Sequence, residues 1–239
     1  MVPWLADGSL SFPPLHQALA EPNGLLAAGG DLSEDRLLRA YRSGIFPWYN
    51  PGEPILWWSP DPRCVLLPKD LYLSRSLRKR LRQTDYRVTF DQAFSRVVQA
   101  CAGPRRSQQG TWISRDIATA YLHLHRRGVA HSVEVWMDDV LAGGLYGLAI
   151  GSVFFGESMF SHQRDASKIG FAWCIAQLKR WGYQLVDCQV YNDHLASLGA
   201  TEIPRDDFAA RLSRLCEQPL DHPWQFSVTR EAVCENSRR

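Results

Sequence analysis

The sequence predicts an α+β fold around a central, mostly antiparallel sheet. Three stretches carry that reading. Past residue 60, strand-like and helix-like segments mix and close on a strand pair, a long helix, another strand and short helices. Leu141 to Phe155 sets Gly143, Gly144, Gly147 and Gly151 among Leu, Tyr, Ile, Val and Phe, which reads as two strands turning at Gly151-Ser152. Gly156 to Lys168 then passes from strand-like to loop-like to helical, and Ile169 to Trp181 is nearly all apolar, as a buried helix is.

At 239 residues the chain exceeds a typical domain of roughly 100–150 residues and suits one large or two unequal domains. Its 45% hydrophobic and 22% charged residues match globular averages, which points away from disorder and from a membrane protein. No run approaches the roughly 18 apolar residues of a spanning helix. Met1 to Asp7 lacks the basic start and apolar block of a signal peptide, so a cytoplasmic protein is expected. Cys64, Cys101, Cys174, Cys188, Cys216 and Cys234 include no Cys-x-x-Cys and read as free thiols. With a net charge of +2 there is no whole-protein field, and any nucleic-acid contact must come from a local patch.

Taken in order, Ser33 is positioned to cap a helix with Glu34 and Asp35 in its first turn and Leu37, Leu38 and Tyr41 on its apolar face, ended by Gly44. Cys64 to Leu67 reads as a short strand. Leu73, Leu77 and Leu81 share one face of the next helix, and Arg75, Arg78, Lys79 and Arg82 share the other. Such a face is either plainly solvated or a surface for a phosphate backbone. Asp91 is expected to cap a helix burying Phe94, Val97, Val98 and Cys101, and Ser114 the start of another that ends at Gly128. Ser132 to Trp136 alternates as a strand, Asp138-Asp139 is a turn, and the tail from about Glu231 is expected to fray.

Chemistry is sparser. His16, His131, His162, His194 and His222 are isolated from one another and from acidic ligand spacings, and His123 and His125, two apart on a helix, face different ways, so no metal set is expected. Gly29-Gly30 lacks the Gly-Lys-Ser/Thr of a phosphate loop, and no Gly-x-Ser-x-Gly nucleophile elbow is present. The indoles around Trp48, Trp57 and Trp58 either plug one small domain onto a larger one or stack a planar ring such as a nucleobase. Asp187 and Gln189 flank Cys188 on a short strand, and spacing two puts them on one face, with Cys188 on the other. A glutamine carbonyl can accept a hydrogen bond from an incoming amine while a carboxylate polarises its NH2, which suits aminolysis of an activated ester. The alternative is two polar residues satisfied by backbone at a strand end. Phe171, Cys174 and Leu178 form one helical stripe, which by spacing alone is core.

Glu21-Pro22-Asn23-Gly24-Leu25-Leu26, Gly29-Gly30-Asp31-Leu32-Ser33, Gly44-Ile45-Phe46-Pro47-Trp48, Trp57-Trp58-Ser59-Pro60-Asp61-Pro62-Arg63, Gly110-Thr111-Trp112-Ile113, His131-Ser132-Val133-Glu134-Val135-Trp136, Gly156-Glu157-Ser158-Met159-Phe160-Ser161, Ala166-Ser167-Lys168, Asp187-Cys188-Gln189 and Ser197-Leu198-Gly199-Ala200 occur in that order. From about residue 12 to 210 the chain thereby resembles the leucyl/phenylalanyl-tRNA–protein transferases. The resemblance implies a small N-terminal domain, residues 1–62, packed on a larger GNAT-like domain, residues 63–239, related to acetyltransferases. It implies an enzyme that moves Leu, Phe or, less often, Met from aminoacyl-tRNA to the α-amino group of proteins with N-terminal Arg or Lys, marking them for N-degron-dependent degradation. No cofactor is implied, because the aminoacyl ester supplies the driving force; the implied state is a monomer away from membranes.

Carried over position by position, the resemblance implies that Trp48 and Trp112 bind the terminal adenosine and that Tyr121 and Glu157 are polar positions at the same site. It implies Asp187 and Gln189 as the catalytic pair, with Gln189 accepting from the attacking amine and Asp187 orienting or polarising it. Leu145, Phe171, Cys174 and Leu178 would line the amino-acid pocket. Arg75, Arg78, Lys79 and Arg82 would hold the acceptor stem through its phosphates. An acetyl-CoA-dependent acetyltransferase would instead carry an Arg/Gln-x-x-Gly-x-Gly/Ala loop, whose glycines are missing from Gln163-Arg164-Asp165-Ala166-Ser167-Lys168. A noncatalytic RNA-binding module would keep the tryptophans and the basic helix and make the Asp187/Gln189 pair incidental.

Overall fold

Proline and glycine punctuate the first 60 residues so densely that only short strands form there. The computed structural model describes residues 2–103 and 112–236; what was expected of 104–111 lies outside them. The short strands β1 (Trp4–Leu5), β2 (Leu25–Gly29), β3 (Phe46–Pro47) and β4 (Leu56–Trp58) make a four-stranded sheet in the order β1-β2-β4-β3. Helix α1 (Glu34–Arg42) buries Leu37, Ala40 and Tyr41 against it. Ser33 stands at the N-cap as expected, but its hydroxyl makes no capping bond; its backbone N–H donates to Asp31 Oδ1 instead. The fully buried Arg36 donates to Asp31 Oδ2 and to the Ala6 carbonyl, and this pairing holds the Asp31 carboxyl well below the usual carboxylate range.

A second sheet has seven strands: β5 (Arg63–Leu66), β6 (Arg87–Phe90), β7 (Ala130–Met137), β8 (Val140–Ile150), β9 (Val153–Ser161), β10 (Leu185–Gln189) and β11 (Thr201–Ile203). Their order is β11-β5-β10-β9-β8-β7-β6. The helices are α2 (Arg75–Leu81), α3 (Phe94–Cys101), α4 (Arg115–Arg126), α5 (Ala166–Trp181), α6 (Asp193–Ala196), α7 (Arg205–Leu215) and α8 (Arg230–Glu235). Strands β9 and β10 run parallel, which requires a crossover, and α5 supplies it. The other pairs of this sheet are antiparallel, as the sequence predicts.

Both faces of the sheet are covered. Tyr146, Leu148, Phe155 and Phe160 pack with α1, α3 and α4, while Val133, Val135, Leu145 and Phe154 pack with α2, α5 and α8. Polar residues inside β7 therefore need protein partners. Glu134 finds them in the hydroxyls of Ser132 and Thr89, both 2.5 Å away, and in the backbone N–H of Ala93. Desolvation, the largest influence on it, still raises the Glu134 carboxyl.

Two expectations fail here. Asp91 does not cap α3, whose N-cap is Ala93; at φ 56° Asp91 turns its carboxylate to the backbone N–H of Ser132 and to His131 Nδ1. The C-terminal tail is not frayed at Glu231, because α8 buries Val233 and Cys234 in the cluster beneath α2 and α5. Ser74 and Ser114 do cap α2 and α4, accepting from Leu77 and Ile117.

Gly147 sits where β8 slips register against β9, and a Cβ there would lie 2.2 Å from the Phe155 carbonyl oxygen. Gly147→Ala should therefore cost about 1–3 kcal/mol in urea unfolding; an unchanged midpoint would show that the strands yield at this point.

Candidate active site

The site exists because two parallel strands part. β10 pairs with β9 only from Leu185 to Asp187, opposite Val153 to Phe155. Beyond that, β9 stays on β8 as far as Ser161, while β10 bulges against β5 between Asp187 and Gln189 and turns at Gln189, which has φ 61°. A cavity of about 410 Å³ opens in the gap. Its floor is apolar: Leu145, Phe154, Met159, Phe171, Cys174 and Ile175. Half-exposed Trp48, Val190 and Tyr191 stand at its mouth with Trp112. Trp48 is steadied from behind, since Trp58 Nε1–H donates to its carbonyl at 2.6 Å and the two rings lie 5.6 Å apart.

Glu157, Asp187 and Gln189 form the polar wall, and each is tied from behind. Asp187, fully buried, receives both Arg63 Nε (2.8 Å to Oδ1) and Arg63 Nη2 (2.7 Å to Oδ2). Arg63 also donates to the Gly44 carbonyl at 3.1 Å and lies under the rings of Phe46 and Phe208. The same Asp187 Oδ1 accepts from the backbone N–H of Gln189 at 2.9 Å. The Gln189 side chain goes elsewhere: its Nε2 donates to Glu157 Oε1 at 2.9 Å. Glu157 Oε2 accepts from the hydroxyl of Tyr121 at 2.7 Å, and Tyr121 is hydrogen-bonded in turn to Tyr41. Either hydroxyl can be the donor of that last pair, and Tyr41 also hydrogen-bonds Glu157. Burial raises the Glu157 carboxyl to about 7, against the opposing effect of these hydrogen bonds.

This geometry revises the chemistry read from spacing. The carboxylate that grips the Gln189 amide is Glu157, and Asp187 holds the backbone of Gln189 instead. The alternation that would place Asp187 and Gln189 on one face is broken by the bulge, so Cys188 also reaches the cavity wall. Its thiol is pushed well up, first by a hydrogen bond with Cys64 and then by burial; burial likewise pushes Cys174 up, so neither presents a thiolate.

Among the residues singled out in the sequence, Trp48, Trp112, Leu145, Glu157, Phe171, Cys174, Asp187 and Gln189 line the cavity. Tyr121 does not; it is fully buried behind Glu157. Leu178 lies one turn of α5 past Cys174, in the core below the floor. Arg75, Arg78 and Lys79 on α2 and Arg82 at its C-cap are away from the cavity, and Arg78 Nε donates to the Leu73 carbonyl. Sequence reasoning missed Arg63, Tyr41, Phe154, Met159 and Ile175. An arginine inside an apolar strand demands a buried carboxylate, so Arg63 carried a usable signal. Among the described residues, no three His, Cys, Asp or Glu side chains gather as metal ligands.

One cavity thus joins an apolar floor, indoles at the mouth and a clamped carboxamide between them. Comparison narrows this. The sequence profile of leucyl/phenylalanyl-tRNA protein transferase matches residues 65–213, and that of its N-terminal domain matches residues 30–61. Leucyl/phenylalanyl-tRNA–protein transferases from Pseudomonas syringae pv. syringae (strain B728a) and Nitrosomonas europaea are 61% and 60% identical to the chain over 224 and 219 residues. Those alignments cover 94% and 91% of this chain and 98% and 93% of the relatives. The chain belongs to the leucyl/phenylalanyl-tRNA protein transferase family, and so to the aminoacyltransferases. A solved GCN5-related N-acetyltransferase from Kribbella flavida is similar only at TM-score 0.37 and 12% identity, over 69% of this chain and 59% of that one.

Two outcomes test this wall. Arg63→Met leaves Asp187 charged, buried and unpaired, and should cost about 3–5 kcal/mol in urea unfolding; a cost below 1 kcal/mol, within the range of an exposed pair, would contradict the burial. Glu157 binds its proton more tightly when folded, so its contribution is fully present below its unfolded pKa of 4.5 and is lost as pH rises through about 7. Stability measured at pH 5 and pH 8 should therefore differ less in Glu157→Gln than in the native sequence, and an equal difference in both would assign the titration elsewhere.

Proposed function

We propose that the cavity holds the aminoacyl-adenosine end of a tRNA charged with Leu, Phe or Met, and that the aminoacyl group is transferred there to the α-amino group of a polypeptide with N-terminal Arg or Lys. The observation that carries this is the fixed carboxamide of Gln189. With Nε2 bound to Glu157, its Oε1 has no protein partner among the described residues and stands between the apolar floor and the indole mouth. The aminoacyl side chain fits against Leu145, Phe171 and Cys174, and the adenine against Trp48 and Trp112. The reacting ester carbonyl then lies beside Gln189.

The incoming amine donates one N–H to Gln189 Oε1, which aims its lone pair at the ester carbon. A C–N bond forms, the C–O bond to the ribose breaks, and the proton leaving the amine ends on that ribose oxygen. No covalent enzyme intermediate is required, in keeping with the unionised Cys174 and Cys188. Glu157 orients the carboxamide, Tyr121 and Tyr41 orient Glu157, and Asp187 fixes the backbone turn. Leu178 supports the floor from beneath. One methylene in an apolar pocket is worth only about 1–3 kcal/mol, so small changes in this floor shift the balance among Leu, Phe and Met.

The parting of β9 and β10 supports reading residues 63–239 as a GNAT-like domain, with residues 1–62 as the smaller one that contributes Trp48. The exposed Arg75, Lys79 and Arg82 support α2 as a contact for the acceptor stem, Arg78 being half-buried. No described helix is long and apolar enough to cross a membrane; a monomeric, cytoplasmic enzyme of N-degron tagging is the setting this reading implies.

Purified protein with Phe-tRNA should transfer Phe to a peptide with N-terminal Arg or Lys and not to one with N-terminal Gly; absence of transfer from both Phe-tRNA and Leu-tRNA would overturn the reading. In the same assay Gln189→Ala should lower kcat by about a hundredfold or more, with little change in tRNA affinity. Equal losses in both would place Gln189 in binding.

A further inference from the structure

A second concavity, of about 460 Å³, lies at the opposite end of α5 and β10 from the cavity. Lys69, Lys179, Arg211 and Arg214 line it, and no carboxylate does. Like the basic face of α2 it is cationic, and unlike the sites of several paired surface arginines it has no acid beside it. The chain carries 27 Lys and Arg against 25 Asp and Glu, and Arg42, Arg80 and Arg127 each sit 2.6–2.8 Å from a carboxylate. Among the described residues Lys69, Arg211 and Arg214 have no ion-pair partner, and Lys179 is bonded to a neutral group, Asn236 Oδ1, at 2.8 Å. Four cations facing one hollow repel one another until an anion enters.

We infer that this groove is a second contact for the phosphate backbone of the donor tRNA, separate from the cavity and from α2. The inference rests on tRNA being the donor, as proposed above. Its cations come from three separate elements, the turn at Pro68–Asp70, the end of α5 and α7. A polyanion that runs through the groove meets all of them, whereas one small anion meets only a few.

Its position also suits a strand leaving the cavity. Ile175 is on the cavity floor, and Lys179 follows one turn later on the same helix face, about 6 Å along the axis. Leu185 lines the groove and Gln189 the cavity, a separation of about 13–14 Å along β10. Lys69 precedes Arg75 by six residues, so even a fully extended chain would place it within about 20 Å of the basic face of α2. A nucleic acid whose 3′ end occupies the cavity carries phosphates across those distances.

The test uses the full chain with Lys69→Gln, Arg211→Gln and Arg214→Gln combined, and two donors, Phe-tRNA and the phenylalanyl ester of adenosine. With Phe-tRNA, KM should rise about tenfold with kcat unchanged, and the log–log dependence of KM on salt should flatten by about 2 to 3. With phenylalanyl-adenosine, which cannot reach the groove, KM should match the native sequence. A native KM and salt slope for Phe-tRNA would overturn the inference, as would an equal rise in KM for both donors, which would signal a damaged fold. Inorganic phosphate at constant ionic strength distinguishes the other source of this chemistry: saturable inhibition that the variant loses would assign the groove to a free anion and overturn the polymer reading. Failure of the native protein to transfer from either donor would instead sink the function proposed above.

Discussion

The buried pair of Arg63 and Asp187 is the constraint on which the site depends. Arg63 reaches the Gly44 carbonyl and the ring of Phe46 in the N-terminal segment, the ring of Phe208 on α7, and Asp187 on β10. Taking two such charges out of water is costly, and a hydrophobic pair of similar volume would often be as stable. What the pair supplies is geometry. Asp187 Oδ1 accepts from Arg63 and from the backbone of Gln189 together, so the left-handed turn at Gln189 is braced by the same carboxylate that anchors the arginine. That turn is where β10 leaves β9 and the cavity begins.

A second set of contacts links Tyr41, Tyr121 and Glu157, with Gln189 donating to Glu157 from the other side. Tyr41 sits on α1, Tyr121 on α4, Glu157 on β9 and Gln189 on β10. Donors therefore converge on one buried carboxylate from distant parts of the chain. Their convergence fixes which end of the Gln189 amide faces Glu157 and leaves its carbonyl oxygen without a protein partner among the described residues. Burial raises Glu157 toward neutrality, which keeps the desolvation cost of this centre low without adding a counter-charge to the wall.

Features written in local pattern were legible from the sequence. The turn at Gly151-Ser152, the buried helix after Lys168, the caps at Ser74 and Ser114 and the mostly antiparallel sheet each follow from a few neighbouring residues. Trp48, Trp112, Glu157, Asp187 and Gln189 were legible as a set only through family resemblance, and the cavity they share depends on parting strands that no periodicity encodes. Roles set by long-range contact were not legible: Arg63 and Asp187 are 124 residues apart, and Tyr41 and Tyr121 are 80 apart. A period-two strand pattern could not foresee the bulge that brings Cys188 to the wall. Asp91 looked like a cap because local rules favour it, and tertiary demand from His131 and Ser132 prevailed.

The central claim is that one cavity seats the aminoacyl side chain, the adenine and the reacting ester around Gln189. Its most direct test is a crystal structure with a 3′-amide-linked phenylalanyl-adenosine that cannot be cleaved. The account predicts the phenyl ring on the floor beside Phe171 and Cys174, the adenine against Trp48 and Trp112, and the aminoacyl carbonyl carbon within about 4–5 Å of Gln189 Oε1, leaving room for an amine in hydrogen-bond reach. Adenine in the apolar floor, or a ligand bound with its carbonyl away from Gln189, would contradict it.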